Sequence, residues 1–398
     1  MPSSAKPVAR AIRSSGVGAG PLQLKDDVYA VGVLDPHLVE FDEALTPHGT
    51  SYNSYLVVDE QITLIDCTRH SHYAELLSNI KAVIGDRPID NFIISHCEPD
   101  HSSAFPQILK AYPEAHLYGT MFAQKILASY YPDAVGYEFT VVTEGATLST
   151  GGLTFEFHPT PMLHWPDSLA TYLPARTILF SMDAMGQHIG TGERLDQDVE
   201  LDTLMEIAGN YYANIVMPFG MQVMAFLNKV AGLDVDMVAP SHGVVLTADN
   251  HLPEMIAAYT RWGEGKTNPH QATIVYGSMW GSTAAMAEEL KEELEASKHH
   301  VAIFNLEHDH FSTAVGHLLE SRYIYVGSST RNNHWLPSIA GFVSFLCGLK
   351  AKNRVGQAFG SYGWSGEACD MIDDALTEAG FEMKESWKAL FAPLKMDE

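Results

Sequence analysis

The chain of 398 residues carries 49 acidic against 24 basic side chains, a formal net charge of −25, with 46% apolar residues. That charge opposes a nucleic-acid phosphate backbone, which needs clustered Lys and Arg, and no run approaches the roughly 18 uncharged apolar residues of a membrane span. Cys67, Cys97, Cys347 and Cys369 form no C-x-x-C pair, which excludes a disulfide framework and a thiolate metal knuckle and fits a reducing cytoplasm.

A chain of this length is expected to form two domains. Residues 1–27 open with MPSSAKPVARAIRSSGVGAG, basic and rich in Ser, Ala and Gly, with no acid before Asp26. They read as a flexible extension lacking the apolar core of a secretory signal. Residues 28–262 alternate short apolar runs with helical patterns and form the first domain. SYLVVDEQITLID predicts strands at 54–58 and 62–66 around a polar turn at Asp59 and Glu60. SHYAELLSNIKAVIG has helical spacing, and IDNFIIS is a short buried strand leading into SHCEPDHSSAF at 95–105. EFTVVTEGATLSTGGLTFEFHPTP and SLATYLPARTILFS read as hairpins. GEGKTNPHQA, 263–272, is polar and without periodicity, and reads as a linker.

From 273 to 398 strands and helices alternate, which predicts a doubly wound parallel sheet. TIVYGS, HVAIFNL, YIYVGS, RVGQAFGS and KESWKALF are the strands, with helices at about 282–296, 312–319, 336–348 and 365–379. Ligands of such sheets bind beyond the carboxyl ends of the strands. Those ends read SMWGST (Ser278, Met279, Trp280, Gly281, Ser282, Thr283), SSTRNN (with Ser329, Thr330, Asn332 and Asn333) and GSYGWSG (with Ser361, Tyr362, Gly363 and Trp364). Hydroxyls flanking Gly281 where a helix begins suit a phosphate dianion. The absence of G-x-G-x-x-G and of G-x-x-x-x-G-K-[ST] disfavours dinucleotides and nucleoside triphosphates, leaving a mononucleotide. Trp280, Trp335, Tyr362 and Trp364 can flank a flat ring.

In the first domain His96, Glu98, Asp100 and His101 fall within six positions. A solvated loop with a helix N-cap at Asp100 or Ser102 is the plain alternative. Three more strand ends weigh against it: TPMLHWPDS supplies His164, LFSMDAMG supplies Asp183 and MVAPSHGVV supplies His242. Four imidazoles and three carboxylates are hard-to-borderline donors, suited to iron. Cys97 points away from its neighbours in an extended segment and reads as a buried filler. His48, His188, His299 and His300 read as ordinary surface histidines.

This constellation resembles the metallo-β-lactamase fold, an αββα sandwich whose hydrolases usually show H-x-H-x-D-H, although here Glu98 takes the second position. It resembles more closely the flavodiiron proteins, the rubredoxin-linked oxygen or nitric oxide reductases, with H-x-E-x-D-H followed by H, D and H. The intervals of 62 residues between His101 and His164 and of 18 between His164 and Asp183 match that family; the 58 between Asp183 and His242 are slightly fewer, which a loop deletion explains. The likeness runs from about residue 28 nearly to the C-terminus and includes HWPDS, YYANIV (211–216), SMWGST and GSYGWSGE.

The resemblance implies FMN in the second domain and two non-haem irons, with a bridging hydroxide or oxo group, in the first. His96, Glu98 and His164 would hold one iron, Asp100, His101 and His242 the other, and Asp183 would bridge them. It implies reduction of dioxygen to water, of nitric oxide to nitrous oxide, or of both. Trp364 resembles a family tryptophan beside the flavin, and Tyr212 would place a hydroxyl near the bound gas. The resemblance also implies a head-to-tail homodimer or tetramer and a separate donor, rubredoxin or else a reduced deazaflavin. A binuclear hydrolase would not need the second domain, and an electron carrier with a dead first domain would have lost ligands. Only about seven residues follow KESWKALF, so a final helix is expected to be absent or very short. Ser329 stands where relatives often have proline, and His334 and Trp335 alter the middle flavin loop.

Overall fold

A computed structural model describes residues 20–134, 136–190 and 192–394. The chain forms two compact units. One contains the residues up to Phe41, Thr46–Ala208 and Phe226–Ile256; the other contains Asp42–Leu45, Gly209–Ala225 and the residues from Ala257 onward.

In the first unit a seven-stranded sheet runs in the order Leu22–Lys25, Val28–Ala30, Tyr55–Val58, Ile62–Ile65, Asn91–Ile93, His116–Gly119, Phe139–Val141. Its first four strands pair antiparallel and its later ones parallel. Because strand side chains alternate, Leu56, Leu64 and Phe92 pack under the helices Tyr73–Ile84, Phe105–Ala111 and Met121–Tyr130. Tyr55, Val57, Ile65 and Ile93 face the opposite way. There they meet Phe155, Phe157, Leu169, Ile178 and Phe180 of a six-stranded sheet ordered Thr147–Ser149, Thr154–Pro159, Leu169–Leu173, Ile178–Met182, Met237–Pro240, Leu246–Thr247. Both faces of the first sheet are covered, which is why its strands read as unbroken apolar runs.

The second unit holds a parallel sheet in the order His300–Asn305, Asn268–Gly277, Ser321–Ser328, Val355–Tyr362. Its fifth strand is split: Glu382–Met383 pairs with the start of Val355–Tyr362 and Trp387–Leu390 with its end. Helices Ser282–Ala296, Phe311–Leu318, Pro337–Gly348 and Glu367–Glu378 form the crossovers. Among the described residues no helix follows Leu390. The sheet face bearing helix Ser282–Ala296 is instead completed by Trp387, Ala389 and Ala392, and the Lys384 ammonium lies 4.7 Å from the Tyr323 ring centroid.

Three boundaries differ from the sequence expectation. Leu22–Lys25 is an edge strand rather than part of a flexible extension, since Leu22 and Leu24 pack on the inter-sheet core; residues 1–19 lie outside the described residues. The connection 263–272 is shorter, because helix Leu252–Gly263 runs to its first residue and strand Asn268–Gly277 begins inside it. Residues 42–45 and 209–225 group with the second unit, where Leu45 N–H donates to Ser312 Oγ at 3.0 Å and Asn214 Nδ2 to the Ser312 carbonyl at 3.2 Å. No helix among the described residues is long and apolar enough to cross a membrane.

Candidate metal centre and flavin loops

Strand Asn91–Ile93 delivers the chain into the ligand loop, and Pro99 at the first position of the short helix Pro99–Ser102 ends the extended segment. His96 and Glu98 thereby project together, while Asp100 and His101 sit on the helical turn. The remaining ligands also follow strands: His164 after Thr154–Pro159, Asp183 directly after Ile178–Met182, and His242 after Met237–Pro240.

The donor atoms fall into two groups, His96, Glu98, His164 and Asp183 in one and Asp100, His101 and His242 in the other, each within 4.8 Å. Glu98 Oε2 lies 3.0 Å from His96 Nε2 and 3.2 Å from His164 Nε2. Asp100 Oδ2 lies 3.0 Å from His101 Nε2 and 3.1 Å from His242 Nε2. Asp183 serves both: Oδ2 is 3.4 Å from His96 and 3.3 Å from His164, and Oδ1 is 3.2 Å from His101 and 3.7 Å from His242.

The donor chemistry fits a pair of metal ions. Donor separations of 3.0–3.4 Å are the edges of a coordination polyhedron with bonds of about 2.1 Å. Asp100 Oδ1 and Oδ2, Asp183 Oδ1 and His101 Nε2 are buried and make no hydrogen bonds, although they face one another at such distances. His101 joins the constellation, since the corner at Pro99–Ser102 turns its ring inward.

The charges are complementary. Burial pushes His96 down, but Asp167, Glu98 and Asp183 outweigh it and hold the ring up at about 10. His164 is likewise pushed down by burial and held up at about 9 by Asp183 and Glu98. Burial raises Asp100 and Asp183, but the facing imidazoles keep both well below the usual carboxylate range. Three anionic carboxylates in a buried cluster form a cation site.

The backbone around the cluster is unusual: Asp66, Met162, Met182 and Met185 all take left-handed φ of 54–65°, a region costly for residues with a Cβ. Each lies beside a ligand loop. Met182 immediately precedes Asp183, and Asp66 Oδ1 accepts the Ser95 N–H at 2.7 Å. Desolvation pushes Asp66 up to about 6 against the opposing charge of His101.

Sequence reasoning missed three neighbours. Asp66 ends the run ITLID, an acid after an apolar strand, the same signal that marked Asp183, whereas Asp167 lies within HWPDS just before the strand Leu169–Leu173. His188 is no surface histidine. It is buried, its Nδ1 lies 2.8 Å from Thr50 Oγ1, and its ring centroid is 5.1 Å from that of His242. Its burial depends on Phe41 and Thr50, distant in the chain. Cys97 is a core filler as expected.

In the second unit the three strand-end loops meet through hydroxyls. Thr283 Oγ1 lies 2.9 Å from Ser329 Oγ and 2.8 Å from Ser361 Oγ, linking all three. Ser278 Oγ accepts from the N–H groups of Gly281 (3.2 Å) and Ala284 (3.3 Å). Gly281, at φ 86°, reverses the chain into helix Ser282–Ala296. Ser282 Oγ donates to the Ala392 carbonyl at 2.9 Å, so the C-terminal segment borders the same loop. Asn332 and Asn333, both left-handed, turn the middle loop. Trp280 and Trp364 are 79% and 86% exposed, Tyr362 half-buried. These loops offer a hydroxyl-lined end for a phosphate and aromatic faces for a ring.

Tyr212 packs in the second unit, with ring centroids 5.1 Å from those of Tyr259 and Trp262. Its buried hydroxyl has no hydrogen-bond partner among the described residues.

Comparison with known proteins also divides the chain in two. The family described as ODP family β-lactamase matches residues 50–243 and the flavodoxin family residues 274–398. The chain is 36% identical to a nitric oxide reductase of Moorella thermoacetica over 91% of each sequence. It is 33% identical to the rubredoxin oxygen:oxidoreductase of Desulfovibrio gigas, with 94% of each chain covered and a TM-score of 0.91. The flavodiiron protein of Giardia intestinalis superposes with a TM-score of 0.90 at 29% identity, over 95% of this chain and 93% of that one.

Proposed function

The chain belongs to the flavodiiron proteins, and on that premise we propose that it reduces dioxygen to water, nitric oxide to nitrous oxide, or both. One observation carries the reading: seven side chains from four strand-end segments form two donor groups joined through the two oxygens of Asp183, in a chain that also carries a flavodoxin unit.

His96, Glu98 and His164 would hold one iron, Asp100, His101 and His242 the other, with Asp183 between them. FMN would lie on 278–283, 329–333 and 361–364. When bound, two irons and a reduced FMN supply the four electrons that turn dioxygen into two waters, or the two that couple two nitric oxides to nitrous oxide and water. The protein's own part is geometric and electrostatic. Glu98, Asp100 and Asp183 bring three negative charges that offset the cations, and the surrounding core excludes bulk water. Thr283 keeps the three flavin loops in register, and the exposed Trp364 marks the flavin edge. Rubredoxin is the donor that the family suggests, with a reduced deazaflavin second; a head-to-tail homodimer would set the FMN of one subunit by the irons of the other. A cytoplasmic location suits the reduced cysteines.

The purified protein should carry about one FMN and two irons per chain. It should consume dioxygen or nitric oxide when supplied with reduced rubredoxin, both gases being assayed on one preparation. A flavin-free zinc protein with esterase or lactamase activity would replace this reading with a hydrolase.

A further inference from the structure

Asp167, three residues beyond His164, is wholly buried, and none of the metal donor groups includes it. Its Oδ2 accepts the Cys97 N–H at 2.7 Å and lies 3.5 Å from Nδ1 of His96. Its Oδ1 is also buried and has no hydrogen-bond partner among the described residues. The backbone carrying the carboxylate is tied down. Its own carbonyl accepts from Thr120 Oγ1 at 3.1 Å, and the next strand is tied to the ligand loop by Leu169 N–H to the Ser95 carbonyl at 2.9 Å.

His242 of the other donor group is supported differently. His242 Nδ1 lies 2.6 Å from the Ser51 carbonyl, a neutral acceptor. A charged acceptor fixes the tautomer of an imidazole and strengthens its remaining nitrogen as a donor more than a carbonyl does. His96 and His242 are therefore supported unequally.

We propose that Asp167 is the positioning residue of the His96 metal position: it holds the proton on Nδ1, aims Nε2 at the metal and strengthens it as a ligand. The inference rests on the two-metal reading above. Through Cys97 N–H the same carboxylate also sets the backbone between His96 and Glu98, so one buried acid registers two ligands of one metal.

Asp167→Asn tests the charge. The same Oδ2 meets both the Cys97 N–H and His96 Nδ1, so an amide oxygen in its place keeps the Cys97 contact and leaves the imidazole only a neutral acceptor. The experiment uses the FMN-bearing chain stripped of metal and titrated anaerobically with Zn(II), a diamagnetic probe, with proton–nitrogen NMR of the histidine rings. In the parent, two zinc ions bind, and His96, identified by loss of its signal in His96→Gln, shows a strongly deshielded Nδ1 proton. In Asp167→Asn that proton moves to higher field and one of the two ions binds about 10–100-fold more weakly. Affinities for both ions unchanged from the parent would overturn the proposal. So would a parent spectrum without the deshielded His96 proton, a result that does not require the variant to fold. A parent chain that binds fewer than two ions would instead overturn the two-metal reading.

Discussion

In the first unit seven ligand side chains, most of them buried, aim charge into a small interior volume, and the backbone beside them takes left-handed φ at four residues with a Cβ. In the second unit the loops present neutral hydroxyls, the strain falls on Gly281 and two asparagines, and Trp280 and Trp364 stand exposed. A metal pair needs donors fixed to within tenths of an ångström and shielded from water, so its cage has to be built with the fold. A flavin brings its own large surface and needs only a platform with a phosphate-sized end.

The contrast can be broken most directly by removing metal. Chelation should abolish gas consumption and destabilise the first unit by about 4 kcal/mol, relative to protein with free metal near a thousand times its dissociation constant. Hydrogen exchange should rise in peptides spanning 91–102 and 178–183 while flavin absorbance persists. Equal loss of FMN would show that the units are not energetically separate. Asp183→Asn should lower turnover by about a hundred-fold or more, because one carboxylate serves both groups; metal analysis should show fewer than two ions beside a full complement of FMN.

Gly281→Ala probes the other side. The new methyl meets no atom within 4 Å, so the cost is the left-handed backbone alone, about 1–2 kcal/mol. FMN affinity should fall roughly five- to thirty-fold with two irons retained, as read by fluorescence titration and metal analysis. The smallest effect is expected for Tyr212→Phe. Removing a buried, unpartnered hydroxyl should stabilise the chain by about 1 kcal/mol in denaturant titration and leave turnover unchanged. A ten-fold fall in turnover would give that hydroxyl a chemical role.

The ligands were legible because metal chemistry restricts residue types and because apolar runs mark where strands end. Four donors in SHCEPDHS and one after each of three later strands leave few alternatives. Asp66 and Asp167 were less legible for a physical reason. An acid beside a strand can face a metal, an imidazole or a backbone N–H, and the choice depends on φ at Asp66 and on the position of Cys97 N–H. The alternating strands and helices of the second unit were plain, whereas the split at residues 384–386 was not, since it arises from pairing with the distant strand Val355–Tyr362. Leu22 and Leu24 became an edge strand only because the inter-sheet core reaches them.

Met182, left-handed at the last position of its strand, has a consequence for how such a chain tolerates change. Asp183 is indexed to the strand as a tooth is to a ratchet: inserting or deleting one residue between Ile178 and Asp183 would flip the side-chain alternation and carry the carboxylate to the opposite face. The stretch from Asp183 to His242 needs only to return to the neighbouring strand. Length variation is therefore expected to collect in the returns between ligand-bearing strands and to be absent from their last few residues.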